Sequence, residues 1–293
     1  MKLYYRVARL DFLVESASDI ERLLPSYRNF SIDHSSCLMF RAEVVPTGAE
    51  FAVSSRVGEF DSGGATYRVS YTDDGRYAFE ILTPSSKQRA ATLLADGAFS
   101  DIRIFLDDVF PAFGLNNSLM VAYAFSAAHH DALLMHSSVV VNEGRAFLFL
   151  GTSGTGKSTH SAMWLRNVPG TWLMNDDNPV LRVIDGQVVA FGSSWSGKTP
   201  CYRNVEAPVG AIVKISQSPV NTISRLDYFN SFATMTSSCS RLKWDKRISD
   251  LIFDTITKVV SLVNLYILDC RPDAEAAKIC YEEVTKDIDA KAQ

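Results

Sequence analysis

A glycine-rich segment in the second half of the chain has the composition and spacing of a phosphate-binding loop. Residues 151–158 read GTSGTGKS and match G-x-x-x-x-G-K-[ST] at every fixed position. An apolar run, AFLFL, precedes the segment, and a stretch of helical character follows it, which is the context that supports such a match. Glycines suit this chemistry because backbone N–H groups must turn inward around a phosphate, which requires positive φ and no Cβ. The sequence therefore predicts a phosphate site here.

The side chains of this loop predict how a nucleotide would be held. The Lys157 ammonium is expected to reach the β- and γ-phosphates and is also a candidate catalytic group, while the Ser158 hydroxyl is expected to bind Mg²⁺. The helix N-terminus adds a partial positive charge. The predicted nucleotide-binding residues are Gly151, Thr152, Ser153, Gly154, Thr155, Gly156, Lys157, Ser158 and Thr159.

Two adjacent acids follow the loop closely. Asp176 and Asp177 end a short predicted strand, nineteen residues (176 − 157) after Lys157. One carboxylate can hold Mg²⁺ and the other can accept a proton from an incoming hydroxyl, because in-line phosphoryl transfer needs a positioned base. Adjacent strand residues point to opposite faces, so we expect the two acids to differ in role unless the strand breaks there. A solvated turn before Asn178 is the alternative interpretation.

The elements around the loop predict a mixed sheet. His136 precedes the run SSVVV, and the turn at 142–145 joins that run to the strand ending at Leu150. Such a short connection predicts an antiparallel hairpin, whereas the loop strand of GTPase-type proteins lies among parallel neighbours. A second hairpin is predicted with strands at 180–184 and 188–191.

The segments HSSVVVNEGRAFLFLGTSGTGKST and LMNDDNPVLRV together resemble the kinase domain of HPr kinase/phosphorylase, which shares a nucleotide site with ATP-dependent phosphoenolpyruvate carboxykinase. The resemblance covers roughly residues 119–270. It implies an α/β P-loop domain with a mixed sheet, with ATP and Mg²⁺ as cofactors. It also implies that one aspartate of the pair is the general base and that His136 tunes it, without deciding which aspartate that is. The metal ligands implied are Ser158, Asp176 and Asp177.

The sequence departs from this family downstream. The family's glycine-rich segment that binds the protein HPr has no clear counterpart, and residues 191–203, FGSSWSGKTPCYR, are instead similar to a GTPWSGK-type segment of uncharacterised relatives. We expect Lys198 and Arg203 to bring positive charge toward a transferring phosphate or an anionic acceptor. A polar loop with solvated Lys and Arg is the alternative.

The rest of the chain predicts a second, smaller domain. Strand patterns dominate the first hundred residues, a helix is predicted from Ser18 through a capping box with Glu21, and a boundary is predicted near 111–118. The resulting domains are a strand-rich α+β domain at 1–115, of unknown role, and a nucleotide-binding domain at 116–293. The other predicted elements are strands at 2–8, 38–44, 65–72, 76–83, 172–175 and 262–268, and helices from 118, near 227–237, 246–260 and 273–286.

Composition excludes several classes of function. The 293 residues carry 33 acids and 29 bases, for a formal net charge of −4, which favours neither nucleic acid nor a membrane surface as a partner. No apolar run approaches about 18 residues, so neither a signal peptide nor a membrane span is predicted. The five cysteines are scattered without metal-site spacing, which predicts buried reduced thiols in a cytoplasmic protein. The sequence leaves open whether the protein forms homo-oligomers.

Three hypotheses of function follow. The favoured one is a kinase that transfers the ATP γ-phosphate to a hydroxyl of a protein or a small molecule. A phosphoenolpyruvate carboxykinase-like enzyme is disfavoured, because the resemblance implies a longer chain with upstream metal-binding His and Lys residues. A nucleotide-sensing or partner-binding module without turnover is the third. His129 and His130 are interpreted as helix-end residues rather than metal ligands, and His160 as a packing or surface residue.

Overall fold

The computed structural model describes residues 1–45, 52–62, 64–197 and 199–292. The chain divides into two compact units, Met1–Ala127 and Ala128–Gln293. Both units combine helices with a large sheet that contains parallel and antiparallel strand pairs. The protein is therefore of the mixed α/β class.

The first unit is built on one sheet. Its described strands are β1 (Lys2–Val7), β2 (Leu10–Ser16), β3 (Ser31–Ile32), β4 (Phe40–Val45), β5 (Val53–Ser62), β6 (Ala65–Thr72), β7 (Tyr77–Leu82), β8 (Arg89–Ala95) and β9 (Asp101–Leu106), in the order β3-β1-β2-β4-β9-β8-β7-β6-β5. The strands predicted at 65–72 and 76–83 are present as β6 and β7, which pair antiparallel around the turn at Gly75. The predicted helix from Ser18 is wrong: two short 3-10 helices, Glu21–Leu23 and Pro25–Phe30, occupy the region. Pro25 cannot continue an α-helix begun upstream, because it lacks the N–H and its ring clashes with the preceding turn.

Helix α1 (Pro111–Ser126) belongs to the first unit. The structure divides the chain after this helix, whereas the sequence-predicted division at 115/116 falls inside it. The helix packs so tightly on β8 that a Cβ at Gly114 would lie 2.4 Å from the carbonyl oxygen of Ala90. The Tyr123 hydroxyl donates a hydrogen bond to the carbonyl oxygen of Val7 (3.0 Å). These contacts explain why the helix stays with the strands that precede it.

The second unit contains the glycine loop, residues 151–158. Its elements are β10 (Ala132–Leu134), β11 (Ser137–Asn142), β12 (Arg145–Leu150), α2 (Lys157–Asn167), β13 (Trp172–Asp177), β14 (Val180–Ile184), β15 (Gln187–Phe191), β16 (Glu206–Gln217), β17 (Thr222–Arg225), α3 (Tyr228–Ser237), α4 (Lys246–Leu262), β18 (Leu265–Cys270) and α5 (Ala274–Ala292). Asp227 and Asp245 cap α3 and α4, each accepting a hydrogen bond from the backbone N–H three residues later.

Strand β12 has one antiparallel and one parallel neighbour. It pairs antiparallel with β11, as the hairpin prediction requires, and parallel with β16. The second predicted hairpin is present as β14 and β15. Ser137 lies opposite both Leu150 and Asp177, so the beginning of β11 and the ends of β12 and β13 meet at one edge of the sheet.

The core beneath the glycine loop is aromatic. Trp164 of α2 is fully buried and its ring lies 5.0 Å from that of Phe147 and 5.4 Å from that of Phe149, both on β12. On its other side Trp164 contacts Tyr281 of α5, with ring centroids 5.6 Å apart. This packing fixes α2 against the strand that carries the loop.

Candidate functional site

The glycine loop turns through three glycines of positive φ. Gly151, Gly154 and Gly156 have φ values of 155°, 83° and 108°. These are backbone conformations that residues with a Cβ rarely adopt. A Cβ at Gly151 would also lie 2.9 Å from Oγ1 of Thr155. The local conformation therefore depends on the glycine positions of the sequence pattern.

Lys157 begins α2 and is almost buried, with 9 % of its surface exposed. Its Nζ donates hydrogen bonds to the carbonyl oxygens of Gly151 (2.9 Å) and Thr152 (3.4 Å). Burial lowers the pKa of Lys157, while the nearby carboxylates of Asp177 and Asp176 act in the opposite direction. The ammonium is therefore held by the loop and lies within electrostatic range of both predicted acids.

The two aspartates have different surroundings. Asp176 is 5 % exposed, and its Oδ1 has no hydrogen-bond partner in the described part of the chain. Asp177 is 24 % exposed, and its Oδ1 lies 3.2 Å from Nε2 of His136. The Asn178 side-chain amide donates to the other oxygen of Asp177 (2.7 Å). We call His136, Asp176 and Asp177 the acid edge.

The strand register explains why the aspartates differ. Asp176 lies directly opposite Ser138, whose Oγ is 2.6 Å from Oγ of Ser161 on α2. Directly opposed residues of an antiparallel pair project from the same face of the sheet, so Asp176 projects toward α2 and the glycine loop. Asp177 lies opposite Ser137, so its side chain leaves the backbone on the other face of the sheet. The two acids therefore differ in their surroundings, and the expected difference in their roles stays a prediction.

A segment that the sequence did not connect with the acids packs against them. Gly197 donates its N–H to the carbonyl oxygen of Asp176 (3.1 Å), and a Cβ at Gly197 would lie 2.7 Å from that oxygen. A Cβ at Gly192 would lie 2.0 Å from the carbonyl oxygen of Arg203. The two glycines of the predicted polar loop were the available signal, because each marks a close backbone approach.

One of the two expected cations of that loop, Arg203, lies away from the acid edge. The Arg203 guanidinium carbon lies 5.5 Å from the ring centroid of Trp172, at the beginning of β13, whereas Asp177 ends the strand. Five residues of extended strand separate the two ends by about 16 Å. Lys198 lies outside the described residues.

A cavity of about 670 Å³ lies beside the glycine loop. The strand order places β12 between β13, which carries the aspartates, and β16 and β18, whose ends line the cavity. We call it the loop cavity; its lining residues are Gly154, Thr155, Gly156, Thr159, His160, Met163, Ile215, Gln217, Ser218, Pro219, Cys270, Arg271 and Pro272. The sequence indicated only its loop residues and the start of the helix that follows.

The polar groups of the loop cavity are neutral or paired. Arg271 forms ion pairs with Asp273 (2.9 Å) and Glu275 (3.1 Å). Nε2 of His160 accepts a hydrogen bond from the Trp164 indole N–H (3.1 Å), so Nδ1 carries the proton in the neutral ring. Burial lowers the pKa of His160 to about 4. His160 is therefore an uncharged residue packed in the wall.

The remaining predictions have mixed outcomes. All five cysteines are free, but Cys37 is exposed and Cys239 half-buried, so the prediction that every thiol is buried is wrong.

No three His, Cys, Asp or Glu side chains converge to hold a metal among the described residues. His129 and His130 end a 3-10 helix. Within the described ranges no helix has both the length and the apolar character needed to cross a bilayer.

Comparisons with known proteins give a distant structural likeness. No protein-family model matches the chain. No curated protein matches it either. Among solved structures, it is similar to the HPr(Ser) kinase/phosphatase from Coxiella burnetii, with 12 % sequence identity and a TM-score of 0.32, over 54 % of this chain and 97 % of that one.

Proposed function

We propose that this protein is a Mg²⁺-dependent kinase that transfers the γ-phosphate of ATP to a hydroxyl group of a polypeptide or a small molecule. The observation that carries the proposal is the convergence of the glycine loop, the buried Lys157 ammonium and two carboxylates at one sheet edge. Phosphoryl transfer depends on positioning and on charge stabilisation, and these groups supply both.

Asp176 and Ser158 are the residues that would hold Mg²⁺. The buried Oδ1 of Asp176, without a hydrogen-bond partner in the described chain, fits a cation, because a buried carboxylate oxygen otherwise remains unsatisfied. Mg²⁺ is bound in such sites by one or two carboxylates, water and substrate phosphates, so the absence of a larger ligand cluster among described residues is compatible with it. When bound, the ion neutralises phosphate charge.

Asp177 is the general base of the proposed reaction. Its carboxylate takes the proton of the acceptor hydroxyl as that oxygen bonds to the γ-phosphorus, while the bond to the bridging oxygen breaks and ADP leaves. Its partial exposure leaves room for an acceptor, and His136 and Asn178 each hold one of its oxygens. Lys157 stabilises the transferring phosphoryl charge.

The loop cavity takes the nucleoside. Its volume of about 670 Å³ lies within the range of small-molecule sites, which is roughly 300–1,000 Å³. Apolar side chains such as Met163, Ile215 and Pro219 suit the faces of a base, and the paired Arg271 leaves little net charge to attract more phosphate. These features favour a nucleoside triphosphate over pyrophosphate as the phosphate donor.

Calorimetry combined with a transfer assay tests the proposal. The parent protein should bind Mg²⁺-ATP and transfer labelled γ-phosphate to a member of a pool of polypeptides and hydroxylated metabolites. Lys157→Ala should weaken ATP binding about 10- to 100-fold, because it removes charge-assisted hydrogen bonds to phosphate. Lys246→Ala, which removes a solvent-exposed lysine, is the matched control and should bind as the parent does.

Three results would contradict or redirect the proposal. A parent protein without measurable ATP affinity would remove its foundation, as would a Lys157→Ala variant with unchanged affinity. A parent that binds ATP tightly and transfers phosphate to nothing in the pool would favour the nucleotide-sensing module instead.

A further inference from the structure

A fully buried amide, that of Asn175, lies directly before the two aspartates. Its Oδ1 accepts hydrogen bonds from the backbone N–H groups of Asp177 (3.0 Å) and Asn178 (3.0 Å). Its Nδ2 donates to Oγ of Ser193 (3.2 Å) and to the carbonyl oxygen of Trp195 (3.0 Å). An asparagine side chain offers two acceptor sites and two donors, so every one of them is used.

The acceptor side of this amide shapes the backbone at the acid edge. One oxygen that accepts from successive N–H groups forms an Asx-type turn, which bends the chain out of the extended conformation. An undistorted strand would direct the two carboxylates to opposite faces. The strand register therefore separates the two carboxylates, and the turn fixes the backbone of Asp177 and Asn178 and so holds the Asp177 carboxylate beside His136.

A bulge just before Asn175 adds to the bend. The register between β11 and β13 shifts, so that Val139 lies opposite Asn175 and Val140 opposite Leu173, which leaves Met174 as the extra residue. Bulges rotate the side chains that follow them and are frequent beside functional sites. The bulge sets the direction in which the strand enters the turn.

The donor side ties this turn to the segment at 192–197. Ser193 is fully buried, and its hydroxyl donates to the carbonyl oxygen of Asn178 (2.5 Å). The N–H of Gly197 contacts the carbonyl oxygen of Asp176 at 3.1 Å. The backbone of the acid pair is thus held from both ends by one neighbouring segment, through Asn175 and through Gly197.

We infer that Asn175 is the positioning residue of the acid edge and that it acts through the backbone of Asp177 and Asn178 together with Ser193. The inference rests on the proposed function, because it assigns Asn175 to the transfer step. Asn175 itself does not touch the reacting groups. Residues that orient a catalytic shell in this way typically change activity about 10- to 100-fold when replaced.

The test compares Asn175→Ala with Asn142→Ala. Asn142 is a buried asparagine at the other end of β11, and its Nδ2 donates to the carbonyl oxygen of Pro169 (2.8 Å) and to Oγ1 of Thr171 (3.0 Å). Both variants lose a buried amide, so both should lose thermal stability. Only Asn175→Ala should lower kcat about 10- to 100-fold, with KM for ATP within about twofold of the parent. It should also speed hydrogen exchange at the amides of Asp177 and Asn178.

The outcomes separate this inference from the proposed function. Equal kcat losses in the two variants, or a loss of ATP affinity that matches the loss of kcat, would overturn it. If the parent protein transfers no phosphate, the proposed function fails, and hydrogen exchange still tests the positioning: unchanged exchange at the two amides would overturn it. If Asn175→Ala does not fold, Ser193→Ala takes its place, because this variant spares both hydrogen bonds to Oδ1 of Asn175. Ser193→Ala should also lower kcat, by a smaller factor, and an unchanged kcat would overturn the inference.

Discussion

The two sides of the glycine loop differ in charge and in exposure to water. The acid edge presents two carboxylates and an imidazole from the ends of β11 and β13, and Asp177 and His136 are partly exposed. The loop cavity has apolar walls, a neutral His160 and an Arg271 paired with two acids. Under the proposed function, the loop would hold phosphates between a side that carries out the chemistry and a side that recognises the nucleoside, and changes on the two sides should have separable effects.

The largest expected effect lies on the acid edge. Asp177→Asn should lower the rate of phosphate transfer about 10²- to 10⁴-fold, because asparagine keeps the shape of the side chain but cannot take the proton. The affinity for Mg²⁺-ATP should stay within about twofold of the parent. Single-turnover transfer rates and calorimetry measure the two quantities. Asp185→Asn, in the exposed turn between β14 and β15, is the control and should change neither.

Replacing Asp176 tests whether the two acids have different roles. Asp176→Asn should remove most of the gain in ATP affinity that Mg²⁺ produces, because the amide oxygen is a weaker ligand than a carboxylate. If Asp176→Asn and Asp177→Asn have the same profile, the division of roles between the two acids is wrong. If both variants transfer phosphate as the parent does, neither acid takes part in the transfer.

On the cavity side, burial of His160 should make the protein sensitive to acid. Its pKa of about 4 in the folded state lies below the ordinary value of 6.5, so protonation favours the unfolded chain. Its contribution to stability is complete above pH 6.5 and is lost as the pH falls toward 4, by about 3 kcal/mol in total. Urea unfolding across this range should show a smaller acid loss in His160→Gln than in the parent. His34→Gln, at an exposed position, should follow the parent, and a His160→Gln profile identical to that of the parent would contradict the assignment.

The smallest expected effect tests recognition alone. Ser218 lines the loop cavity, and Ser218→Trp should reduce the volume available to a nucleoside. ATP affinity should fall about tenfold, or about 1.4 kcal/mol, while the affinity for inorganic triphosphate stays unchanged because the glycine loop is intact. Ser224→Trp, on an exposed position of β17, is the control. An equal loss for ATP and triphosphate would mean that the cavity does not hold the nucleoside.

Two elements of the first unit, the turn between β1 and β2 and the strand β8, could not be predicted from their own residues. Strands β1 and β2 are joined by a turn in which Ala8 and Arg9 both have positive φ, and neither residue type favours that conformation. Strand β8 is buried on both faces over most of its length, so its residues show no alternation of polar and apolar types. Both elements depend on pairing with neighbouring strands rather than on their own pattern.

Features that arise from neighbouring residues could be predicted from the sequence. The glycines and lysine of the loop, the turn at Gly144 and the aspartate caps of α3 and α4 act within a few residues of their own position, so their types predict the local structure. The same locality let the sequence indicate Asp176 and Asp177 as a pair.

The surroundings of those residues depend on contacts between segments that are distant in the chain. The burial of Asp176 and the exposure of Asp177 follow from pairing with β11, and the role inferred for Asn175 depends on a segment nearly twenty residues downstream (193 − 175 = 18). Arg203 lies by Trp172 rather than at the acid edge, and the loop cavity is formed by strand ends that are far apart in the chain. Such arrangements are set by strand order and side-chain packing, which involve residues too distant in sequence for a local pattern to encode.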